Sequence, residues 1–146
     1  MAKYSLANYI LSIDSNDETI KTYFGTISIG GEGSYLGTVR LSLANPMFNT
    51  TGFATGAWVH NKSLDRHGTA NITLNQLSDS VAKFIKLAKL YYGEDYDGFT
   101  LSLSDIDGNK IATCVDCYIS KIPDQEYTDQ AGNQTWIFTC GQINFN

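Results

Sequence analysis

The chain has 146 residues, 17% of them charged, and a formal net charge of −5; that is one domain's length with room for a single hydrophobic core. The acidic balance argues against a nucleic-acid binder, which needs a basic face to neutralise phosphates, and no stretch approaches the roughly 18–20 apolar residues of a membrane span. In place of charge the polar surface carries 14 Thr, 12 Ser and 11 Asn, groups that desolvate more cheaply than ions and suit repeated protein contact.

Period-two patterning dominates from the N-terminus onward. A mixed but strand-like stretch covers Leu6–Ile13, and Thr22–Ile29 reads as a second strand. Gly30-Gly31-Glu32-Gly33-Ser34 is a turn with glycine where positive φ is expected. Tyr35–Leu43 follows with Val39, Leu41 and Leu43 on one face, so Thr22–Ile29 and Tyr35–Leu43 are expected to form a hairpin. Asn45–Asp65 holds Phe48, Phe53, Trp58 and His60 without steady alternation. A loop that long is uncommon in a compact domain, and its aromatics mark it as an arm that packs on something, such as another chain.

Gly68–Gln76 is the clearest strand: Ala70, Ile72 and Leu74 face one way, Thr69, Asn71, Thr73 and Asn75 the other. Ser78 and Asp79 offer a cap and a first-turn acid for a helix over Val81–Tyr92. At about 100° per residue, Val81, Phe84, Ile85, Leu87, Ala88, Tyr91 and Tyr92 share one arc, and Lys83, Lys86 and Lys89 lie opposite, with Gly93 as the expected C-cap. Phe99–Ser104 alternates Phe99, Leu101 and Leu103 with Thr100, Ser102 and Ser104. An Asp-Gly turn at Asp107-Gly108 leads into a long strand over Lys110–Lys121, and after a polar loop Gln134–Asn144 closes the chain as a strand. The pattern predicts a mainly β domain over residues 1–146, an antiparallel sandwich or barrel with one flanking α-helix.

Candidate chemistry is sparse. Asp105, Asp107, Gly108 and Asn109 share residue types with a calcium loop, but Gly falls two positions early and Asp116 stands where the bidentate Glu should be, so a hairpin turn is the reading. Cys114-Val115-Asp116-Cys117 is a CxxC inside a strand pattern and not at a helix N-terminus; its two thiols are expected to point to opposite faces as core or near-surface groups. Three cysteines form no disulfide framework, and Met1–Leu6 lacks the apolar run of a signal peptide, so a reducing compartment is expected. Ser63, Asp65 and His67 alternate without a nucleophile elbow or an oxyanion loop and are not expected to aim at one another. Glu94, Asp95 and Asp97 read as an acidic turn past the helix. No catalytic residue, metal ligand or cofactor is assigned.

Taken in order, Gly30–Ser42 (GGEGSYLGTVRLS), Asn49–Lys62 (NTTGFATGAWVHNK), Asp65–Leu74 (DRHGTANITL) and Gln76–Ile85 (QLSDSVAKFI), with Tyr4–Tyr9 ahead of them and Thr135–Asn144 behind, resemble the tail tube proteins of contractile-tailed bacteriophages. The resemblance implies two packed sheets plus a helix, hexameric rings stacked into a hollow tube, and a contractile sheath around it. It implies as partners other copies of the chain, the sheath protein, and baseplate and tail-terminator proteins, with DNA passing through unbound. It places the protein in the virion tail after assembly in the host cytoplasm. On that footing Thr69, Asn71, Thr73, Asn75, Thr100, Ser102 and Ser104 are candidates for the channel wall. Phe48, Phe53, Trp58 and His60 are candidates for an inter-subunit arm, and Lys83, Lys86 and Lys89 for an outward helix face. If six subunits each gave four strands at about 4.8 Å spacing and roughly 40° tilt, the barrel would be about 48 Å across. The alternative is a monomeric β-sandwich binding module of a virion, glycan-binding or adhesive, with Trp58 and the tyrosines stacking on sugars.

Overall fold

Alternating burial along most strands builds a seven-stranded sheet, and the helices close its apolar side. In the computed structural model, which describes residues 4–15, 17–25, 27–30 and 35–146, the described elements run β1 (Tyr9–Ser15), α1 (Glu18–Phe24), β2 (Ile27–Ile29), β3 (Leu36–Leu43), β4 (Phe48–Gly52), β5 (Trp58–Lys62), β6 (Gly68–Asn75), α2 (Asp79–Gly93), β7 (Phe99–Asp105), β8 (Lys110–Lys121) and β9 (Asn133–Phe145). Seven strands pair antiparallel in the order β2-β1-β7-β8-β9-β6-β3, and β4 and β5 make a separate two-stranded sheet. The mainly β, antiparallel class with a flanking helix is therefore what the sequence folds into.

A single core cluster joins all seven strands of the large sheet to both helices, from Leu11 and Ile29 at one end to Ile72 and Leu74 at the other. Its centre is aromatic. Phe84 of α2 meets Trp136 and Phe138 of β9 edge-on, with ring centroids 5.4 Å apart in each case. Ser78 caps α2 by accepting from the Ser80 amide at 3.3 Å, and the amide of Glu94 closes the other end on the Leu90 carbonyl at 3.1 Å. The cap thus falls one residue past the expected Gly93. Val81, Phe84, Leu87 and Ala88 are buried as expected, but Tyr92, assigned to the same arc, is exposed.

Four other expectations are corrected. Thr22–Ile29 is not one strand: Glu18–Phe24 is helical, and only Ile27–Ile29 is extended. Asp17 starts this helix by accepting from Thr19 N–H at 2.9 Å, Ile20 buries into the core, and Gly25 ends it at φ +62°. The hairpin between Thr22–Ile29 and Tyr35–Leu43 does not form. β2 pairs with β1 and β3 with β6, at opposite edges of the sheet; of the turn assigned to Gly30–Ser34, all but Gly30 lies outside the described residues. Asn45–Asp65 is not a loop but carries the β4–β5 hairpin, and Leu6–Asn8 is a 3-10 turn ahead of a strand that begins at Tyr9.

The cysteines give a fifth correction. Cys114 and Cys117 both face the core. Thr100 of β7 lies opposite two residues of β8, Val115 and Asp116, because Phe99 pairs with Cys117 and Leu101 with Cys114. This is a β-bulge, with Asp116 at φ +56°. It shifts the strand's phase by one residue, so a three-residue spacing brings both thiols to the same side. β9 follows the shift across its β8 pairing, burying Cys140 and Ile143 on either side of the exposed Gly141.

Candidate assembly surfaces

The face of the sheet turned away from the core is rich in hydroxyls and amides, with Tyr118 and Ile137 standing among them. Thr69, Asn71, Thr73 and Asn75 alternate with buried neighbours along β6, and β9 sets Thr139, Ile137, Thr135 and Asn133 directly opposite them. Thr73 and Thr135 hydroxyls meet at 3.1 Å, and Asn75 donates to Asn133 at 3.0 Å. β3 adds Thr38, Arg40 and Ser42 on the other flank. Across the sheet, Ser102 pairs with Ser12 of β1 and Thr113 of β8, Thr100 with Asp14, and Thr113 with Asn144 of β9. The two candidate sets, on β6 and on β7, therefore lie on one face of one sheet, joined through β8 and β9. The sequence reading missed Thr135, Thr139, Thr113, Ser12 and Ser42, although the same alternation along their strands marks them.

Helix α2 covers the opposite, apolar face. Its Lys83, Lys86 and Lys89 are exposed, so the layer order is polar sheet face, sheet, core, helix, lysines. The two edges of the sheet, β2 and β3, each have one side without a strand partner among the described residues.

The β4–β5 hairpin is exposed at every strand position. Register places Phe48 opposite Lys62, Thr50 opposite His60 and Gly52 opposite Trp58, which gathers Phe48, His60 and Trp58 on one side of the ribbon. Thr50 Oγ1 and His60 Nδ1 lie 2.9 Å apart. Phe53 stands at the tip, where the Phe53 and Ala57 backbones close the turn at 2.9 Å and Gly56 adopts φ +89°. Phe48 and Phe53 are each 53% exposed and Trp58 67%. Three large aromatics on an arm held out from the core form an apolar surface of the kind that marks a protein contact.

The remaining polar clusters have structural roles. Asp105 accepts from the Asp107 and Asn109 amides at 3.0 and 2.9 Å, and Gly108 sits at φ +89°, which makes this the hairpin turn between β7 and β8. Those amides hold the Asp105 carboxyl below the usual carboxylate range, Asn109 first among them. Asp65 and His67 do touch, at 2.6 Å, because residues 63–67 are irregular and not a strand; Ser63 Oγ is taken by the Asp65 amide at 3.3 Å. Tyr96 donates to Glu94, and Tyr91 to the Asp97 carbonyl, in the acidic turn after α2. Cys117 and Cys140 are cross-strand partners with sulfurs 3.2 Å apart. Hydrogen bonding to Cys114 and then to Cys140, together with burial, raises the Cys117 thiol; the Cys114 contact and burial push Cys140 up to about 12. The same contacts, Cys117 first and then Cys140, lower the Cys114 thiol to about 4; all three cysteines are buried and unbridged. Among the described residues, no group of three or more His, Cys, Asp or Glu is arranged to hold a metal ion, and no helix is long and apolar enough to cross a membrane.

A polar sheet face, an opposed helix and an exposed aromatic arm are the make-up of a β-rich structural protein. The chain belongs to the bacteriophage PhiTE tail tube protein family, whose model matches residues 1–146; it is a structural tail tube protein of the virion tail. Solved structures similar in fold come from contractile injection systems. One is a chain of the sheath/tube terminator of the extracellular contractile injection system PVC in the extended state (8% identity, TM-score 0.57, covering 100% of this chain and 98% of that chain). Another is from the PVC sheath–tube complex in the extended state (12% identity, TM-score 0.53, 99% and 92%). A third is from the tube-terminating cap of the anti-feeding prophage (6% identity, TM-score 0.51, 100% and 92%). No curated protein matches the sequence.

Proposed function

We propose that six copies close into a ring, that rings stack into the hollow inner tube of a contractile tail, and that the polar sheet face lines the channel. The β4–β5 arm seats its aromatic side on a neighbouring subunit. The β2 and β3 edges pair across subunits, which removes the aggregation hazard of an open sheet. The layer order then sets α2 outermost, with Lys83, Lys86 and Lys89 turned toward an encircling sheath. Baseplate and terminator proteins cap the two ends, and assembly takes place in the host cytoplasm. The protein acts as a conduit and not as an enzyme.

A wall built mostly of Thr, Ser and Asn suits a DNA channel because it is wetted and carries few cations. The register places Asp14, Arg40, Lys110 and Lys121 among the paired residues of that face. Duplex DNA can slide past a hydration layer, whereas a basic wall would release its counterions and hold it. The observation that carries the reading is the fully exposed β4–β5 arm with Phe48, Phe53 and Trp58 on it. Deleting Thr50–Ala57 tests it: the variant should fold and remain monomeric by size-exclusion chromatography and negative-stain imaging. Tubes of normal length from the deletion would overturn the arm's role.

A further inference from the structure

At the root of the arm, Asp65 gathers the outgoing and the returning chain with one carboxylate. From the outgoing side Asn45 Nδ2 donates to Asp65 Oδ2 at 2.7 Å. From the returning side the His67 backbone N–H donates to Oδ1 at 3.1 Å, and His67 Nδ1 lies 2.6 Å from the same oxygen. Two backbone bonds close the same ring of chain: Ala44 N–H to the His67 carbonyl at 3.0 Å, and Ser63 N–H to the Met47 carbonyl at 2.8 Å. The Asp65–His67 contact is the one ion pair among the described residues when His67 is protonated.

Nothing in the core explains this cluster. Asn45, Asp65 and His67 are all exposed, so the contacts bury no apolar surface. What they span is the pair of strands on which the arm hangs. A two-stranded ribbon with no packing beneath it swings freely unless its root is fixed, and swinging costs orientational entropy at docking. We propose that Asp65 is a positioning residue that fixes the angle of the β4–β5 arm to the sheet, so that the arm meets the neighbouring copy already aimed. This rests on the reading that the arm docks on another subunit.

The test compares Asp65→Ala, Asp65→Asn and the Thr50–Ala57 deletion as purified full-length chains. Three quantities are measured: the melting temperature before assembly, hydrogen exchange at the Ala44 and Ser63 amides, and the critical concentration for tube formation. Asp65→Ala should melt within about 2 °C of wild type, because the site is solvent-exposed. Its two root amides should exchange about tenfold faster, and its critical concentration should rise at least about fivefold through lost preorganisation. Asp65→Asn keeps one acceptor oxygen for the His67 amide and presents its side-chain NH2 to Asn45, whose own amide can flip to accept from it, so it should restore most of both. Wild-type critical concentration in Asp65→Ala, or unchanged exchange at both amides, would overturn the proposal. If the deletion abolishes tubes while Asp65→Ala does not impair them, the positioning role alone is wrong; if the deletion also forms normal tubes, the docking reading fails with it.

Discussion

Replacing Phe84 with Ala tests the contact that fixes which side of the sheet α2 occupies. Phe84 is fully buried and meets Trp136 and Phe138 at 5.4 Å. Losing the ring forfeits about 2–3 kcal/mol of transfer free energy. A void of about 100 Å³ that does not collapse adds about 2 kcal/mol at about 24 cal/mol per Å³. The total of about 4–5 kcal/mol lies at the upper end of the roughly 3–5 kcal/mol typical of Phe→Ala in a core. At roughly 2–4 °C per kcal/mol for a chain of this size, the melting temperature should fall by about 8–20 °C. Differential scanning calorimetry of unassembled protein is the assay, since tube formation would add a concentration-dependent stabilisation. Melting within 2 °C of wild type would refute the packing of α2 on β9, and with it the layer order that puts the lysines outermost.

Gly68→Ala should destabilise by about 1–3 kcal/mol or more: a Cβ there would run into the Ser42 carbonyl and lie 2.9 Å from Ile143 Cδ1, so an unchanged urea midpoint would refute the close approach of β3 and β6. The Asp65 carboxyl, held low chiefly by the His67 side chain, and that of Asp105, held low chiefly by the Asn109 amide, should titrate below 3.8 by NMR. Because both folded values are depressed, the stability these groups add is complete above the unfolded value of about 4 and is lost as pH falls through the folded one; midpoints at or above 3.8 would contradict the geometry. Replacing Thr73 and Asn75 with Lys should leave tubes assembling but slow DNA ejection in a salt-dependent way. Ejection at the wild-type rate at low salt would place that face elsewhere.

The strands legible in the sequence are those with one wet face. β6 and β7 alternate cleanly, so the polar set of each is legible strand by strand; that the two sets share one face follows only from the pairing through β8 and β9. α1 was hidden because Thr22, Tyr23 and Phe24 favour strands on propensity, while its true signal is the cap at Asp17 and the single buried Ile20. The β4–β5 ribbon was hidden because neither of its faces is buried in the protomer, so no hydrophobic alternation is imposed on it. What remained visible was unburied aromatic content, and that was enough to mark an arm. The Cys114–Cys117 spacing misled because a bulge at Asp116 breaks the period of two, which a side-chain pattern cannot show without its partner strand.

Cryo-electron microscopy of tubes assembled from the purified chain tests the central claim most directly. The account predicts sixfold rings stacked around an open channel, Thr69, Thr73, Thr135 and Ser102 on its wall, α2 on the outer surface, and the β4–β5 arm seated on an adjacent subunit. Tubes with α2 lining the channel and the Thr/Ser/Asn face outside, or a chain that stays monomeric at high concentration, would contradict it.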